Sequence, residues 1–299
     1  MTATVCILTF NGGQFLDEIL RACATQDAPF GYEVLVLDSG SSDGTLAIVS
    51  RHPDVRLHEI PNGEFGHGRT RNLAASLARG DVVVFLTHDA TPADPSWLRH
   101  LVSPLLDDGT LAGVFARQKP RPGCRPTASR EIVRTFRAAP PEGFFSNVCS
   151  AIRKEVLAQI PFRDVDYSED RAFASDAADR GLRTAYVSEA EVLHSHDLAL
   201  PEYFRRMYDE AAGLRRAGGT IPRRILWLAA AAAYGTLQDW VFVATNPNYS
   251  LLTKIRWGAE VPLYNVARRL AIWLAARELP ERMARALSLD VRRRRAATG

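Results

Sequence analysis

Cysteine is scarce in this 299-residue chain, and the four present, Cys6, Cys23, Cys124 and Cys149, show no CxxC spacing. That argues against a zinc site or a disulfide framework and predicts reduced, buried thiols in a cytosolic protein. Long apolar runs are also missing. The longest stretch of low charge, Ile225 to Leu237, is about 13 residues and contains Gly235, short of the roughly 20 that span a bilayer. The opening Met-Thr-Ala-Thr-Val carries no basic region, so no signal peptide is expected. Internal repeats and low-complexity tracts are not evident, and no GK[ST] ending marks a Walker loop.

What is present is ordinary globular composition, 46% apolar and 24% charged. The length suits one large domain, or a domain with an extension. The net charge of +3 hides an asymmetry: residues 200–299 hold 17 Lys/Arg against 8 Asp/Glu, so the first 199 residues are net acidic. Apolar runs at Val5–Phe10, Glu33–Asp38, Val55–Ile60 and Val82–Leu86 read as strands. Phe15, Leu16, Ile19, Leu20 and Cys23 fall on one helical face, and helices are also expected from Leu46 and from Arg69. Strands alternating with helices predict a mostly parallel sheet with right-handed crossovers. Farther on, Pro95–Leu106 reads as a helix and Leu111–Arg117 as a strand. Lys119–Pro126 reads as a loop, and Thr184–Val187 and Glu191–His194 as short strands flanking a turn. After Pro201 the pattern is helical, broken at Gly218-Gly219 and Asn246-Pro247-Asn248.

The chemistry gathers where strands end. Phe85-Leu-Thr-His-Asp89 passes from a buried run straight into polar side chains, and ligands of open α/β sheets bind at the C-terminal ends of strands. Asp89 therefore reads as an anchor for a divalent metal and a nucleotide diphosphate, with His88, His194 and His196 as candidate co-ligands. Asp38 and Asp43 suit hydrogen bonds from a nucleobase or a ribose, while Ser41, Ser42 or Asp43 equally suits capping of the next helix. Gly66-His-Gly-Arg-Thr-Arg-Asn72 leads into a helix, and Arg69 or Arg71 suits a diphosphate; a solvated arginine at a helix start is the plainer alternative. Glu169-Asp170 opens a helix, where the helix dipole favours acids without any function.

Together these stretches resemble family 2 of the glycosyltransferases, inverting enzymes of the GT-A fold. The matching pieces are Leu8-Thr-Phe-Asn11, Asp38-Ser-Gly-Ser-Ser-Asp-Gly-Thr45, Arg69-Thr-Arg-Asn72, Leu86-Thr-His-Asp89 and Ser168-Glu-Asp170. A closer resemblance is to the rhamnosyltransferase-like branch. It is carried by Phe65–Asn72, Thr87-His-Asp-Ala90, Ala116-Arg-Gln-Lys-Pro120, Phe145-Ser-Asn147, Glu169-Asp170 and His194-Ser-His196. The resemblance implies that Thr9, Asp38 and Asp43 hold base and ribose and that Arg71, with Arg69 beside it, meets the diphosphate. It makes Asp89 the ligand of metal and diphosphate, His194 or His196 a further metal ligand, and Asp170 the base. Mn2+ or Mg2+ is the implied cofactor. The usual DxD has lost its first carboxylate to Thr87, and His88 stands where the branch usually has Gln. One carboxylate fewer shifts leaving-group charge toward Arg69 or Arg71.

The expected architecture is thus α/β, a GT-A catalytic domain over 1–215 with a helical extension over 216–299. The implied donor is dTDP-L-rhamnose and the implied acceptor a saccharide or lipid-linked saccharide of cell-surface polysaccharide. Trp227, Trp240, Trp257 and Trp273 lie among arginines, and Arg292–Arg295 adds a basic run. These suit an anionic membrane surface at the inner face of the cell membrane, or a packing or homo-oligomer contact. A nucleic-acid partner is not expected. Two other classes compete: an inactive nucleotide-sugar-binding protein, and a sugar nucleotidyltransferase. The second is disfavoured because Asn11-Gly12-Gly13 is short and lacks a basic residue.

Overall fold

The computed structural model describes residues 2–136, 139–141, 143–165, 168–216, 220–221, 224–277, 279–289 and 291–292, without the side chains of 225–227. Eight strands form one sheet: β1 Thr2–Thr9, β2 Gly31–Asp38, β3 Val55–Glu59, β4 Val82–Thr87, β5 Thr91–Pro92, β6 Leu111–Lys119, β7 Cys149–Arg153 and β8 Arg183–Leu193. Helices α1 Leu16–Ala24, α2 Thr45–Val49, α3 His67–Leu77, α4 Trp97–Asp107, α5 Pro126–Phe136, α6 Lys154–Gln159 and α7 Glu169–Ala178 alternate with them. Four more follow: α8 Leu200–Arg216, α9 Ile225–Thr245, α10 Leu251–Ala275 and α11 Glu281–Leu287. The chain divides into two compact units, residues 1–120 with 135–195, and residues 121–134 with 196–299.

In the first unit the sheet order is β3-β2-β1-β4-β7-β6-β8-β5. The four early strands are parallel, as the βα alternation predicts. β7 runs antiparallel to both β4 and β6, and β6 is parallel to β8. Reversal at β7 has a useful consequence. β1, β2, β3, β4, β6 and β8 all finish on one edge of the sheet, and β7 begins there. The two short strands expected at 184–187 and 191–194 form a single strand. Its pairing with β6 breaks between Val187 and Glu191, where a turn was expected.

Burial explains the order. Val82–Leu86 is fully buried, as a strand covered on both faces requires. Helix α1 seats Leu16, Ile19, Leu20 and Cys23 on the core, the i, i+3, i+4, i+7 stripe of an amphipathic helix. Cys6, Cys23 and Cys149 are buried and all four cysteines are free. Burial pushes the three buried thiols up, to about 12 for Cys23, which leaves them poor nucleophiles.

The second unit is helical. Tyr203, Met207, Tyr208, Ala211 and Ala212 of α8 pack with Tyr264, Ala271 and Ala275 of α10. Helices α9 and α10 form a hairpin around Asn246-Pro247-Asn248. Across it Asn265 donates to Asp239 at 2.6 Å, and Asp239 also receives Arg130. Gly218-Gly219, Arg293–Arg295 and the Trp227 side chain lie outside the described residues.

Candidate active site

The loops beyond the common sheet edge carry nearly every residue singled out above. Thr9 ends β1 with its hydroxyl buried and without a hydrogen-bond partner. A Cβ on Gly12 would stand 2.5 Å from Thr9 Oγ1 and 3.0 Å from His88 Cβ. Only glycine lets the loop after β1 lie this close to the loop after β4.

Asp38 ends β2. Its carboxylate is wholly buried, accepting from the Gly40 and Ser41 N–H groups at 3.0 and 2.8 Å and from the Ser41 hydroxyl at 2.5 Å. Ser41 in turn accepts from the Asn11 N–H at 2.7 Å. Asp43 accepts from the Gly13 N–H at 3.1 Å and from Thr45 through both its N–H and its hydroxyl. Partial burial pushes the Asp43 carboxyl up, but these hydrogen bonds outweigh it and hold the group below the usual range. Both aspartates thus knit the loops after β1 and β2 into one surface.

In the Gly66–Asn72 segment, structure and expectation part company in detail. The helix begins two residues earlier than predicted, with His67 and Gly68 in its first turn. A Cβ on Gly68 would stand 2.0 Å from the Arg163 carbonyl oxygen, and Asn72 exchanges hydrogen bonds with Phe162 at 2.8 and 2.9 Å. This glycine and asparagine therefore dock α3 onto the 162–163 segment. Arg69 is exposed, donating to the Phe65 carbonyl at 2.9 Å. Arg71 is buried. Its guanidinium lies 3.1 Å from Glu169, itself buried, and also donates to the His67 carbonyl.

The Glu169 carboxylate accepts from Asn147 Nδ2 at 3.1 Å. Burial alone would raise this carboxyl, but the charges of Arg71 and His67 and the Asn147 hydrogen bond hold it below the usual range. Its neighbour Asp170 behaves oppositely. Half-buried, it is pushed up to about 6, first by desolvation and then by the Glu169 charge. Asp170 also interacts with the Asn147 backbone, and the next residue, Val148, accepts from the Thr87 N–H at 3.1 Å. Two short links thus tie Asp170 to the end of β4.

Asp89 lies two residues past β4, and His194 one residue past β8. His194 Nε2 is 3.6 Å from Asp89 Oδ2. One ligand atom each from Asp89, His194 and His196 fall within 4.8 Å of one another; the single residue between the two histidines ties His196 to this corner. Hard cations take oxygen ligands at about 2.0–2.6 Å, so adjacent ligands on one ion stand roughly 3–3.7 Å apart. The Asp89–His194 spacing falls in that range. Gln118, at the end of β6, decides the imidazole's orientation. Its Nε2 donates to Ser146 at 3.1 Å, so its Oε1 faces His194 Nδ1 at 2.8 Å. An amide oxygen can only accept, so Nδ1 carries a proton and Nε2 is the ring nitrogen turned toward Asp89. One carboxylate and two imidazoles suit manganese better than magnesium.

Residues 4–160 match the family described as Glycosyl transferase family 2. The chain belongs to that family. Among curated proteins it is similar to the O-antigen chain rhamnosyltransferase RfbN of Salmonella typhimurium, 32% identical over 226 residues, covering 70% of this chain and 71% of the relative. It is also similar to the O-antigen chain rhamnosyltransferase WbaN of Salmonella anatum, 31% identical over 194 residues and covering 59% and 61% of the two chains. Among solved structures it resembles the mannosyltransferase PcManGT from Pyrobaculum calidifontis, solved with GDP-Man and Mn2+. The TM-score is 0.58 at 23% identity, over 90% of this chain and 86% of that one. The family's GT-A fold is thus present, a curled, mostly parallel sheet followed by helices.

Gln118, Asn147 and Glu169 make the contacts that hold or brace His194 and Arg71, yet the sequence alone assigns them no role. Each lies within a stretch that the branch resemblance includes. Gln118 and Asn147 are polar side chains at or beside strand ends and Glu169 opens a helix, which marks a position without naming its partner.

Proposed function

We propose that this chain is an inverting transferase that moves L-rhamnose from dTDP-L-rhamnose to a saccharide or lipid-linked saccharide in cell-surface polysaccharide synthesis. The observation that carries the reading is Asp170: a half-buried carboxyl, pushed up to about 6, tied through Asn147 and Val148 to the end of β4. A base must be deprotonated at working pH yet basic enough to accept a proton. The rhamnosyl preference rests on the relatives at 31–32% identity.

In this reading Thr9, Asp38 and Asp43 shape the nucleoside site, the two aspartates through the loops they brace. Arg71 is buried against Glu169 at 3.1 Å, whereas Arg69 is exposed and comes no closer than 3.8 Å to the exposed Asp164, so Arg69 is the cation we place on the diphosphate. Asp89, His194 and His196 hold a divalent ion, which when bound supplies positive charge beside the departing diphosphate. Asp170 takes the proton of the acceptor hydroxyl as its oxygen bonds to the anomeric carbon. The bond from that carbon to the diphosphate oxygen breaks, dTDP leaves, and the configuration inverts. Gln118 acts through His194: Gln118→Ala is expected to weaken Mn2+ binding about 10- to 100-fold by calorimetry, with a stability cost of about 1–3 kcal/mol from the buried partners it leaves unpaired.

Thermal shift with a panel of nucleoside diphosphates and sugar nucleotides, with and without Mn2+, tests the donor. Selective stabilisation by dTDP and dTDP-rhamnose supports the proposal. A preference for UDP or GDP overturns the rhamnosyl assignment while leaving the family unaffected.

A further inference from the structure

The outer surface of the α9–α10 hairpin is unusual for a charged, helical unit. Of 14 large apolar side chains exposed among the described residues, ten lie here: Tyr234, Leu237, Trp240 and Val241 on α9, with Leu251, Leu252, Ile255, Leu263, Val266 and Leu270 on α10. Spacing arranges them into stripes. On α9 the exposed positions Ala230, Ala233, Tyr234, Leu237, Val241 and Ala244 recur every three or four residues, as do Leu252, Ile255, Ala259, Leu263, Val266 and Leu270 on α10. Neither series contains a charge. Exposed apolar stripes of this kind mark an interaction surface.

The charges nearby are mostly basic. Residues 224–277 hold six basic and two acidic side chains. Both acids are engaged: Asp239 is buried with Arg130 and Asn265, and Glu260 sits between Arg125 and Arg256. Arg256 follows Ile255 on the border of the α10 stripe with its side chain 65% exposed. Arg277, two residues past the end of α10, lays its guanidinium over the Trp273 ring. Trp240 already donates its Nε1–H to the Gly258 carbonyl at 2.8 Å, so its exposed ring can enter an apolar medium without stranding a donor.

We propose that this face docks, in the plane of the interface, on a phospholipid surface carrying anionic headgroups. An apolar stripe bordered by cations is the pattern of an interfacial helix, and negative headgroups complement those cations. A second copy of the chain fits less well. A two-fold contact sets the face against itself and brings arginine borders of like charge together. No described helix is long and apolar enough to cross a membrane. The inference is independent of the donor and acceptor assigned above.

Flotation of the full chain with vesicles tests it, comparing phosphatidylcholine alone with phosphatidylcholine containing phosphatidylglycerol. Wild type should float with the anionic vesicles and largely stay behind with the neutral ones. The variant Leu237→Glu/Leu252→Glu/Leu263→Glu should lose about tenfold or more of the bound fraction, whereas Leu57→Glu, on an exposed position of β3, should bind as wild type does. Circular dichroism checks the triple variant's helices, and the milder Leu237→Ser/Leu252→Ser/Leu263→Ser should show the same direction. Wild type that floats with neither vesicle overturns the proposal. If ultracentrifugation then shows a dimer that the triple variant dissociates, the face belongs to a second copy instead.

Discussion

Asp170→Asn is expected to lower turnover about 100- to 10,000-fold while leaving dTDP binding nearly unchanged by calorimetry. Asparagine keeps the size of the side chain and can still meet the Asn147 backbone, so the site's shape persists. It has no lone pair basic enough to take the hydroxyl proton as the new bond forms. The acid limb of the wild-type pH–rate profile should fall near the Asp170 value of about 6. Below that pH the carboxyl is protonated and transfer falls; above it the base is available. Glu169 helps push Asp170 up, so Glu169→Gln should move that limb to lower pH. An unchanged profile in Glu169→Gln, together with full turnover in Asp170→Asn, would remove Asp170 from the reaction.

The second large effect concerns folding. Arg71→Ala is expected to cost about 3–5 kcal/mol in denaturant unfolding, because it strands the Glu169 carboxylate in a buried site. That is a large fraction of the roughly 5–15 kcal/mol that holds a typical protein together. Coupling separates this from simple loss of packing. Arg71→Met with Glu169→Leu removes both charges and should recover much of the loss. Additive costs would show that the two side chains do not act as a pair. Asn147 gives a graded control: without its amide, Glu169 keeps Arg71, so Asn147→Ala should cost less than Arg71→Ala.

Much of the fold could be read from the chain because its signals are local. The four early strands are apolar runs ending in polar loops, and the α1 stripe has helical spacing. The reversal at β7 left no such mark. Cys149–Arg153 reads as a strand in either direction, and only its partners β4 and β6 decide which. Helix α5 went unread for a similar reason: Pro126–Phe136 follows a basic, proline-rich loop and contains two arginines and a glutamate. Those charges find partners far along the chain, as in Arg130 with Asp239 and Glu131 with Arg268.

Asp89, His194 and His196 could be proposed together because strand ends gather ligands, and the structure places them in one corner. Arg71 shows the limit of that reasoning. A helix start rich in Arg and Gly suits a phosphate, yet the sequence cannot show that a carboxylate 98 positions later occupies the guanidinium. Gln118 was opaque for the same reason. Its two side-chain partners, Ser146 and His194, lie 28 and 76 positions along the chain.

Transfer of a rhamnosyl group with Asp170 as base can be followed as labelled sugar passing from dTDP-rhamnose into a pool of lipid-linked saccharides. UDP-glucose and GDP-mannose serve as competing donors. Label is expected to pass from dTDP-rhamnose with release of dTDP, and Asp170→Asn is expected to abolish the passage while still binding dTDP. Nucleotide binding with neither transfer nor donor hydrolysis would contradict it, as would pyrophosphate released from a nucleoside triphosphate and a sugar phosphate.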